Sequence, residues 1–216
     1  SIPPELSHAT NLHVLQLSSN HLTRGIPEDL GKLTNLFDLS LNNNNLSGTV
    51  PVHIASLEDL ATLDLGANNF TGLLPNHLGN LVNLLHLNLS QNEFGGSIPS
   101  EFGELKHLQS LDLSRNFVSG IIPPMLRESN RLETLNLSHN NLSGDLFSLD
   151  EMLSLISIDI SYNQLKGSLP NIPAFNNASI EVLRNNKGLC GNVSDSEPCS
   201  ISSDKSQKHK TNKGIL

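Results

Sequence analysis

The chain has 216 residues, of which 37 % are hydrophobic and only 4 % aromatic, with no Trp and a single Tyr. Its formal net charge is -8, and the rest of the chain is more acidic still because Lys205, Lys208, Lys210 and Lys213 lie together near the C-terminus. An acidic body argues against nucleic acid as a partner, since phosphate binding needs a basic face. There is no run of about 20 apolar residues and no signal-peptide pattern at Ser1, so the sequence predicts neither a transmembrane segment nor a leader.

The dominant feature is a repeat with the template L-x-x-L-x-L-x-x-N-x-L. Its leucines alternate with polar residues, as at 87–90, which predicts a short strand with the leucines inward. Stacked copies align these strands into a parallel sheet, about 4.8 Å apart, and a neighbouring copy must cover the leucines to bury them. The spacing is 24 residues five times and then 23, from Leu12, Leu36, Leu60, Leu84, Leu108, Leu132 and Leu155. The template asparagines are expected to satisfy backbone groups where the chain turns inward: Asn20, Asn44, Asn68, Asn92, Asn116, Asn140 and Asn163.

A second motif, L-[ST]-G-x-[IV]-P, follows the asparagine, as at 46–51. Together the two motifs resemble the plant-specific class of leucine-rich repeats. The resemblance implies an α/β repeat solenoid, a right-handed leucine-rich-repeat superhelix. Its parallel sheet of short strands would form the concave face, with 3-10, short helical or irregular segments on the convex face. Arg24-Gly25 displaces the glycine by one position and Phe147 replaces the proline, so an irregularity is expected around 145–151.

Residues 1–170 are predicted to hold seven full repeats and a leading partial one, because Ser1-Ile2-Pro3 lies 24 residues before Gly25-Ile26-Pro27. The chain is therefore expected to start within a longer solenoid. Leu15 and Leu17 would then be less well covered than the later leucines.

The C-terminal part departs from the repeat. N-x-x-G-L-C-G at 185–191, followed by Cys199, resembles the C-terminal cap of plant leucine-rich-repeat receptor-like kinases. The resemblance implies a cap over 171–199 with a Cys190–Cys199 disulfide, and hence an oxidising compartment. Two reduced thiols or half of a metal site are the alternatives, although no His or further Cys completes a zinc set. Residues 200–216 are polar and Ser/Lys-rich, and are predicted to form a disordered juxtamembrane linker before a transmembrane helix beyond this chain.

Sequons of the form N-x-[ST] agree with passage through the secretory pathway. Several arise from the repeat itself, because N-L-S is close to its consensus, so they support this compartment only in part. The predicted glycosylation sites are Asn45, Asn69, Asn88, Asn136, Asn141, Asn177 and Asn192.

Motifs for catalysis are absent: the sequence has no phosphate-binding glycine loop, no kinase catalytic loop and no nucleophile elbow. His53 and His77 fall in one column of adjacent repeats, but two ligands make a poor metal site, so neither a metal nor a cofactor is predicted. Asp64, Asp112 and Asp159 also share a column. At roughly 10 Å between neighbours, they are predicted to be solvated carboxylates with nothing to raise a pKa. The chain is therefore predicted to bind and not to catalyse.

Outward positions of the strands form five columns on the concave face, and these hold the candidates for recognition. Phe37 and Leu85, beside Asp38 and His86, have no packing role in this architecture, so ligand contact and ordinary surface variation both remain open. The ligand-binding candidates are Phe37, Asp38, Thr62, Leu85, His86, Gln109 and Arg115. The candidates for co-receptor contact are Glu133, His139, Ser157 and Tyr162.

Taken together, the motifs are most similar to the membrane-proximal ectodomain of plant receptor-like serine/threonine kinases that perceive secreted peptides. The resemblance implies an extracellular domain at the plasma membrane, with a secreted peptide or protein ligand on its inner face and a co-receptor leucine-rich-repeat kinase near its last repeats. Kinase domain and membrane helix would belong to the full-length parent only. The alternative is a soluble cell-wall leucine-rich-repeat inhibitor of pectin-degrading enzymes, a family that shares the second motif but usually has more cysteines in its cap.

Overall fold

Short parallel strands recur through the computed structural model, which describes residues 1–176 and 178–191. Seven of them pair in chain order into one parallel sheet, β1-β3-β5-β7-β9-β11-β13, as the repeat predicts. Its register joins residues 24 apart, such as Leu15 and Leu39, and residues 23 apart between the last two strands, so it follows directly from the spacing of the repeats. The described strands are β1 (Val14–Gln16), β2 (Thr23–Arg24), β3 (Asp38–Ser40), β4 (Asn45–Gly48), β5 (Thr62–Asp64), β6 (Asn69–Leu73), β7 (His86–Asn88), β8 (Glu93–Gly95), β9 (Ser110–Asp112), β10 (Ser119–Gly120), β11 (Thr134–Asn136), β12 (Asn141–Gly144), β13 (Ser157–Asp159), β14 (Gln164–Ser168) and β15 (Gly188–Cys190).

The second motif also forms strands, which the sequence does not predict. They make two further parallel sheets, β2-β4-β6-β8 and β10-β12-β14-β15, and a single bridge between Ser97 and Ser119 lies between them. Their register joins residues 22 apart, as in Thr23 and Asn45, or 21 apart between β12 and β14, whereas the main sheet joins residues 24 or 23 apart. Each of these strands is therefore shifted by two residues against its neighbour, relative to the main sheet.

Most of the short 3-10 helices follow the prolines of the second motif, as predicted for the convex side; Phe147–Leu149 and Ile180–Leu183 do not follow a proline. Proline fixes φ near the extended value seen at Pro27 (φ -63°), and the helix then ends within five residues. They span Pro4–His8, Glu28–Lys32, Val52–Ser56, Asn76–Asn80, Ser100–Glu104, Pro124–Glu128, Phe147–Leu149 and Ile180–Leu183, and one α-helical turn, α1, spans Pro173–Asn176. No helix of the described residues is long and apolar enough to cross a membrane.

The core is a continuous column of leucines inside the coils. Leu39, Leu63 and Leu111, the middle residues of their strands, are all 0 % exposed, and burying each contributes about 1.5–3 kcal/mol. Leu15 of the first strand is 7 % exposed and Leu17 is only half-buried. This agrees with the expectation that the first coil is less well covered.

The template asparagines form a ladder of hydrogen bonds between coils. Asn92 is 7 % exposed, and its Nδ2 donates to the carbonyls of Leu65 (3.0 Å), Leu89 (3.2 Å) and Ser90 (3.0 Å). Its Oδ1 accepts from the Phe70 N–H of the preceding coil at 3.0 Å. One side chain thus satisfies backbone groups of its own coil and of the coil before it, as predicted.

The ladder continues beyond residue 170, where the sequence places the last repeat. Asn186 accepts from the Leu165 N–H and donates to the Ile160 carbonyl, both at 3.0 Å, and β15 pairs with β14. The start of the expected cap is therefore a shortened coil that stacks like a repeat without its leucine template. Cys190 closes β15, but its predicted partner Cys199 and the segment 200–216 lie outside the described residues, so the Cys190–Cys199 pairing stays a prediction.

The two departures from the second motif have distinct consequences. The left-handed position that Gly48 and Gly72 occupy (φ 81° and 87°) is taken by Arg24 at φ 72°, because the displaced Gly25 does not move the turn. Around Phe147, the 3-10 helix is shortened to three residues and Glu151 adopts φ 70°. The irregularity predicted for 145–151 is confirmed.

Candidate ligand-binding surface

The outward residues of the seven-stranded sheet form a continuous surface, here called the strand face. Each coil contributes three side chains to it: the residue before the strand, the first residue of the strand and the last. The first column is His13, Phe37, Ala61, Leu85, Gln109, Glu133 and Ile156; the second is Val14, Asp38, Thr62, His86, Ser110, Thr134 and Ser157; the third is Gln16, Ser40, Asp64, Asn88, Asp112, Asn136 and Asp159.

An apolar depression lies in the first column. Phe37 is 53 % exposed, Leu85 is half-buried, and Ala61 lies between them at 3 % exposed. The small side chain of Ala61 leaves an open depression of about 460 Å³, which Asp59 also lines. The structure thus brings Phe37 and Leu85 together around a floor that the sequence did not single out.

Further carboxylates lie near this depression on the strand face. Asp38 accepts from Gln16 Nε2 at 3.0 Å and from Ser40 Oγ at 2.7 Å. Asp64 accepts from the Gly66 N–H at 3.0 Å, yet burial raises the pKa of its carboxyl, and the charges of Asp112 and Asp38 raise it further. The prediction that nothing in this column raises a pKa is therefore wrong for Asp64, because stacking of the coils half-buries it among like charges.

Three further ligand candidates lie beside the same depression. Thr62 and His86 are register partners on adjacent strands, and His86 is exposed. Gln109 follows Leu85 in the first column and is half-buried; its backbone N–H donates to the Leu85 carbonyl at 2.8 Å. Together with Phe37 and Asp38, these candidates form one contiguous patch.

Arg115 is not part of that patch. It belongs to the fifth predicted column, whose members have left-handed backbone angles (φ 55° at Arg115, 56° at His139 and 54° at Tyr162). The placement of this column on the strands is wrong, since the strands end at the third column and the chain is already turning here. These side chains therefore lie along one edge of the strand face.

The co-receptor candidates separate into two pairs. Glu133 and Ser157 are neighbours on the strand face, where the Ser157 N–H donates to the Glu133 carbonyl at 3.0 Å. His139 and Tyr162 stack at the turn edge, with ring centroids 4.1 Å apart.

The stacked rings are also in contact with a charged side chain that the sequence does not predict. The guanidinium of Arg184 lies 5.1 Å from the centre of the Tyr162 ring. Desolvation lowers the pKa of His139, and the charges of Arg115 and Arg184 lower it further. Only the stacking of the shortened last coil brings Arg184 to this position.

A larger depression of about 760 Å³ lies on the side of the second motif and contains none of the candidate ligand or co-receptor residues. Its most exposed aliphatic side chains are Leu73 and Ile121. Leu73 packs over Gly96 and Ile121 over Gly144, within 2.6 and 2.9 Å of the position that a Cβ would occupy. Their exposure thus has a packing reason, which Phe37 does not share.

The histidines singled out by the sequence do not converge. His53 Nδ1 lies 3.8 Å from the Glu28 carboxylate. Burial lowers the pKa of His77, and its Nε2 is buried without a hydrogen-bond partner. Among the described residues, no group of three or more His, Cys, Asp or Glu side chains is arranged to hold a metal ion.

The sequons fall into two structural classes. Asn45, Asn69 and Asn141 begin strands of the second motif and are exposed. Asn88 and Asn136 lie on the strand face and accept backbone N–H bonds, at 3.0 and 3.1 Å. Asn177 and Asn192 lie outside the described residues.

Comparison with protein families identifies the repeats. Profiles described as leucine rich repeat match residues 11–33, 35–57, 59–81, 83–105 and 154–176, and a related profile matches 97–142. No curated protein matches the chain by sequence.

Solved structures do match. The ectodomain of the Arabidopsis thaliana receptor kinase GASSHO1/SCHENGEN3, in complex with CASPARIAN STRIP INTEGRITY FACTOR 2, is 41 % identical with a TM-score of 0.86; the alignment covers 92 % of this chain and 24 % of that one. The plant peptide hormone receptor RGFR1 in complex with RGF2 is 32 % identical with a TM-score of 0.79, and the alignment covers 89 % of this chain and 35 % of that one. The Arabidopsis receptor kinase HAESA in complex with the peptide hormone IDA and the co-receptor SERK1 is 36 % identical with a TM-score of 0.78, and the alignment covers 82 % of this chain and 30 % of that one.

The chain therefore spans about a quarter to a third of the receptor chains it matches. Its coils nevertheless superpose on theirs over most of its own length, with the same stacked strands. By its repeats, its profile matches and these likenesses, the chain belongs to the leucine-rich repeat family, in the form found in plant receptor-kinase ectodomains.

Proposed function

We propose that this chain is a ligand-recognition part of the extracellular ectodomain of a plant receptor-like kinase. The strand face would bind a secreted peptide or protein ligand, and the last coils would contact a co-receptor leucine-rich-repeat kinase. The observation that carries the proposal is the patch on the strand face where exposed Phe37 and half-buried Leu85 lie beside Asp38, because an apolar surface patch rimmed by polar residues marks an interaction site.

The location of the protein follows from the same proposal. The parent would lie on the extracellular side of the plasma membrane after passage through the secretory pathway, with its membrane helix and kinase outside this chain. The chain itself would bind and perform no catalysis. The co-receptor surface would combine Glu133 and Ser157 with the stacked rings of His139 and Tyr162.

Two experiments test the proposal. Sequencing the transcript beyond Leu216 should reveal a transmembrane segment and a kinase domain; a stop codon at once would instead favour the cell-wall inhibitor. The chain should also bind a member of a panel of synthetic secreted plant peptides, and replacing Phe37 and Leu85 together by Ala should abolish that binding. Ile156→Ala, at an exposed aliphatic residue of the same column, is the control. Binding that is unchanged in the double variant would refute the assignment of this surface.

A further inference from the structure

The depression over Ala61 has an apolar part formed by Phe37, Ala61 and Leu85, and polar side chains line the rest of it. Column neighbours at this position carry Phe37 and Leu85, so the fold accepts large side chains here. Because Ala61 lies between them, the side chains of Phe37 and Leu85 form two walls with an open space between them. A single aliphatic or aromatic side chain from outside would occupy part of this space and cover the exposed ring of Phe37.

Apart from His13 and His86, the titratable side chains around the depression are acidic. In the part of the chain that the structure describes, the three columns of the strand face contain no Lys or Arg, and their acidic members are Asp38, Asp64, Asp112, Glu133 and Asp159. Asp59 adds a further carboxylate on the outer rim of the depression. A positive group next to the depression would therefore lie in a consistently favourable field.

Asp59 differs from the asparagines at the same position in the two neighbouring coils. In the coils on either side, the residue at this position donates to the preceding coil: Asn35 Nδ2 to the Thr10 carbonyl at 2.9 Å, and Asn83 Nδ2 to the Glu58 carbonyl at 3.0 Å. A carboxylate has no proton to donate, so Asp59 cannot make the equivalent bond to the Thr34 carbonyl.

Asp64, like Asp112 and Asp159 in the same column, accepts the backbone N–H two residues on, and this role does not require a charge. Asn88, one coil later, accepts the N–H two residues on at 3.0 Å, just as Asp64 does. An amide would therefore perform this role without placing a charge among the carboxylates of neighbouring coils. Asp59 thus lines the Ala61 depression and Asp64 lies farther along the same strand, and an amide at either position could make the bond that the neighbouring coil makes there.

From this arrangement we propose that the strand face recognises a cationic, apolar peptide segment, with an aliphatic or aromatic side chain seated over Ala61 and a Lys or Arg beside Asp59 or Asp64. The inference deepens the proposed function and rests on it. Asp64 lies three residues after Ala61, about 10 Å along a strand, which is the reach of three residues of extended peptide. A cation here would also favour the charged form of Asp64, whose pKa is raised in the free protein.

The test is a selection with the 216-residue chain as bait and a displayed library of random peptides, each about 12 residues long to span the sheet, as probe. Peptides that also bind Ala61→Leu are removed, because this variant fills the depression with a side chain that the column accepts elsewhere. We expect the enriched peptides to carry Lys or Arg within about three residues of an aliphatic or aromatic residue. A synthetic peptide of the enriched sequence should then bind the wild type at least about tenfold more tightly than Ala61→Leu.

The double variant Asp59→Asn/Asp64→Asn separates recognition from folding. It should weaken binding of the same peptide by about tenfold and remove most of the salt dependence, while its unfolding midpoint rises or stays unchanged. A lower unfolding midpoint would mean that the acids serve the fold, and would overturn the inference. Ile156→Ala should leave the affinity unchanged.

The remaining outcomes distinguish the two proposals. Enriched peptides that need Phe37 and Leu85 but carry no cation would leave the proposed function standing and overturn this inference. Peptides that bind Asp59→Asn/Asp64→Asn as tightly as wild type would do the same. A library in which no peptide depends on any strand-face residue would count against both.

Discussion

Replacing Asn92 by Ala should be one of the most damaging single changes in the solenoid. The side chain is 7 % exposed, so water cannot replace what it provides. The Phe70 N–H would lose its acceptor, at about 1–3 kcal/mol, and the carbonyls of Leu65, Leu89 and Ser90 would share the loss of two donors, at about 1 kcal/mol each. The expected fall in the free energy of unfolding is about 3–5 kcal/mol.

Asn20→Ala is the matched control. Asn20 stands at the same template position, but it is exposed and donates only to the Leu17 and Ser18 carbonyls, both at 3.1 Å. Water can take over these bonds, so its loss should cost less than about 1 kcal/mol.

Urea unfolding followed by circular dichroism measures the difference, since the chain has no Trp. With a slope of about 2–3 kcal/mol per M, Asn92→Ala should lower the midpoint by about 1–2 M and Asn20→Ala by less than about 0.5 M. Equal shifts for the two variants would refute the argument that burial of the ladder, and not the presence of the amide, sets its contribution.

Four further predictions test other features of the structure. Arg24→Gly should raise the free energy of unfolding by about 1 kcal/mol by relieving φ 72°, whereas Arg24→Ala, which keeps the strain, should not; equal melting temperatures for both would contradict this. Because the pKa of Asp64 is raised on folding, the folded state binds the proton of this carboxyl more tightly than the unfolded chain does. The free energy of unfolding should therefore fall as the pH rises from 3.8 through the pKa of the folded state. Asp64→Asn should therefore stabilise the protein at neutral pH but not in acid below the unfolded pKa, and a pH-independent effect in urea titrations would disprove the cause. Glycopeptide mass spectrometry of plant-expressed protein should find Asn69 occupied and Asn88 empty, because Asn69 is exposed whereas Asn88 is half-buried with its side-chain amide packed against Gly66; full occupancy at Asn88 would show that the folded geometry does not govern modification. The amide of Leu15 should exchange hydrogen faster than those of the strand leucines in later coils, since it is less covered, and uniform protection would argue against this.

Some properties of this protein follow from its sequence alone. The 24-residue period determines which leucines face inward and that short strands, such as β3 and β5, must pair in parallel. The asparagine of the template indicates the hydrogen-bond ladder, because a buried amide at a fixed position needs repeated backbone partners. The patch around Phe37 and Leu85 also follows from the pattern, since outward apolar residues have no place in the core.

Other properties depend on how the coils stack, which periodicity does not report. The second sheets pair residues 22 or 21 apart because their strands are offset between coils, and Arg184 reaches Tyr162 because a coil without the leucine template still stacks. Arg115 lies at a turn and not on a strand, since the backbone is already left-handed there. The depression over Ala61 and the raised pKa of Asp64 arise from neighbours in adjacent coils. The sequence determines which side of the chain faces the core, whereas contacts between coils decide what each outward residue has beside it.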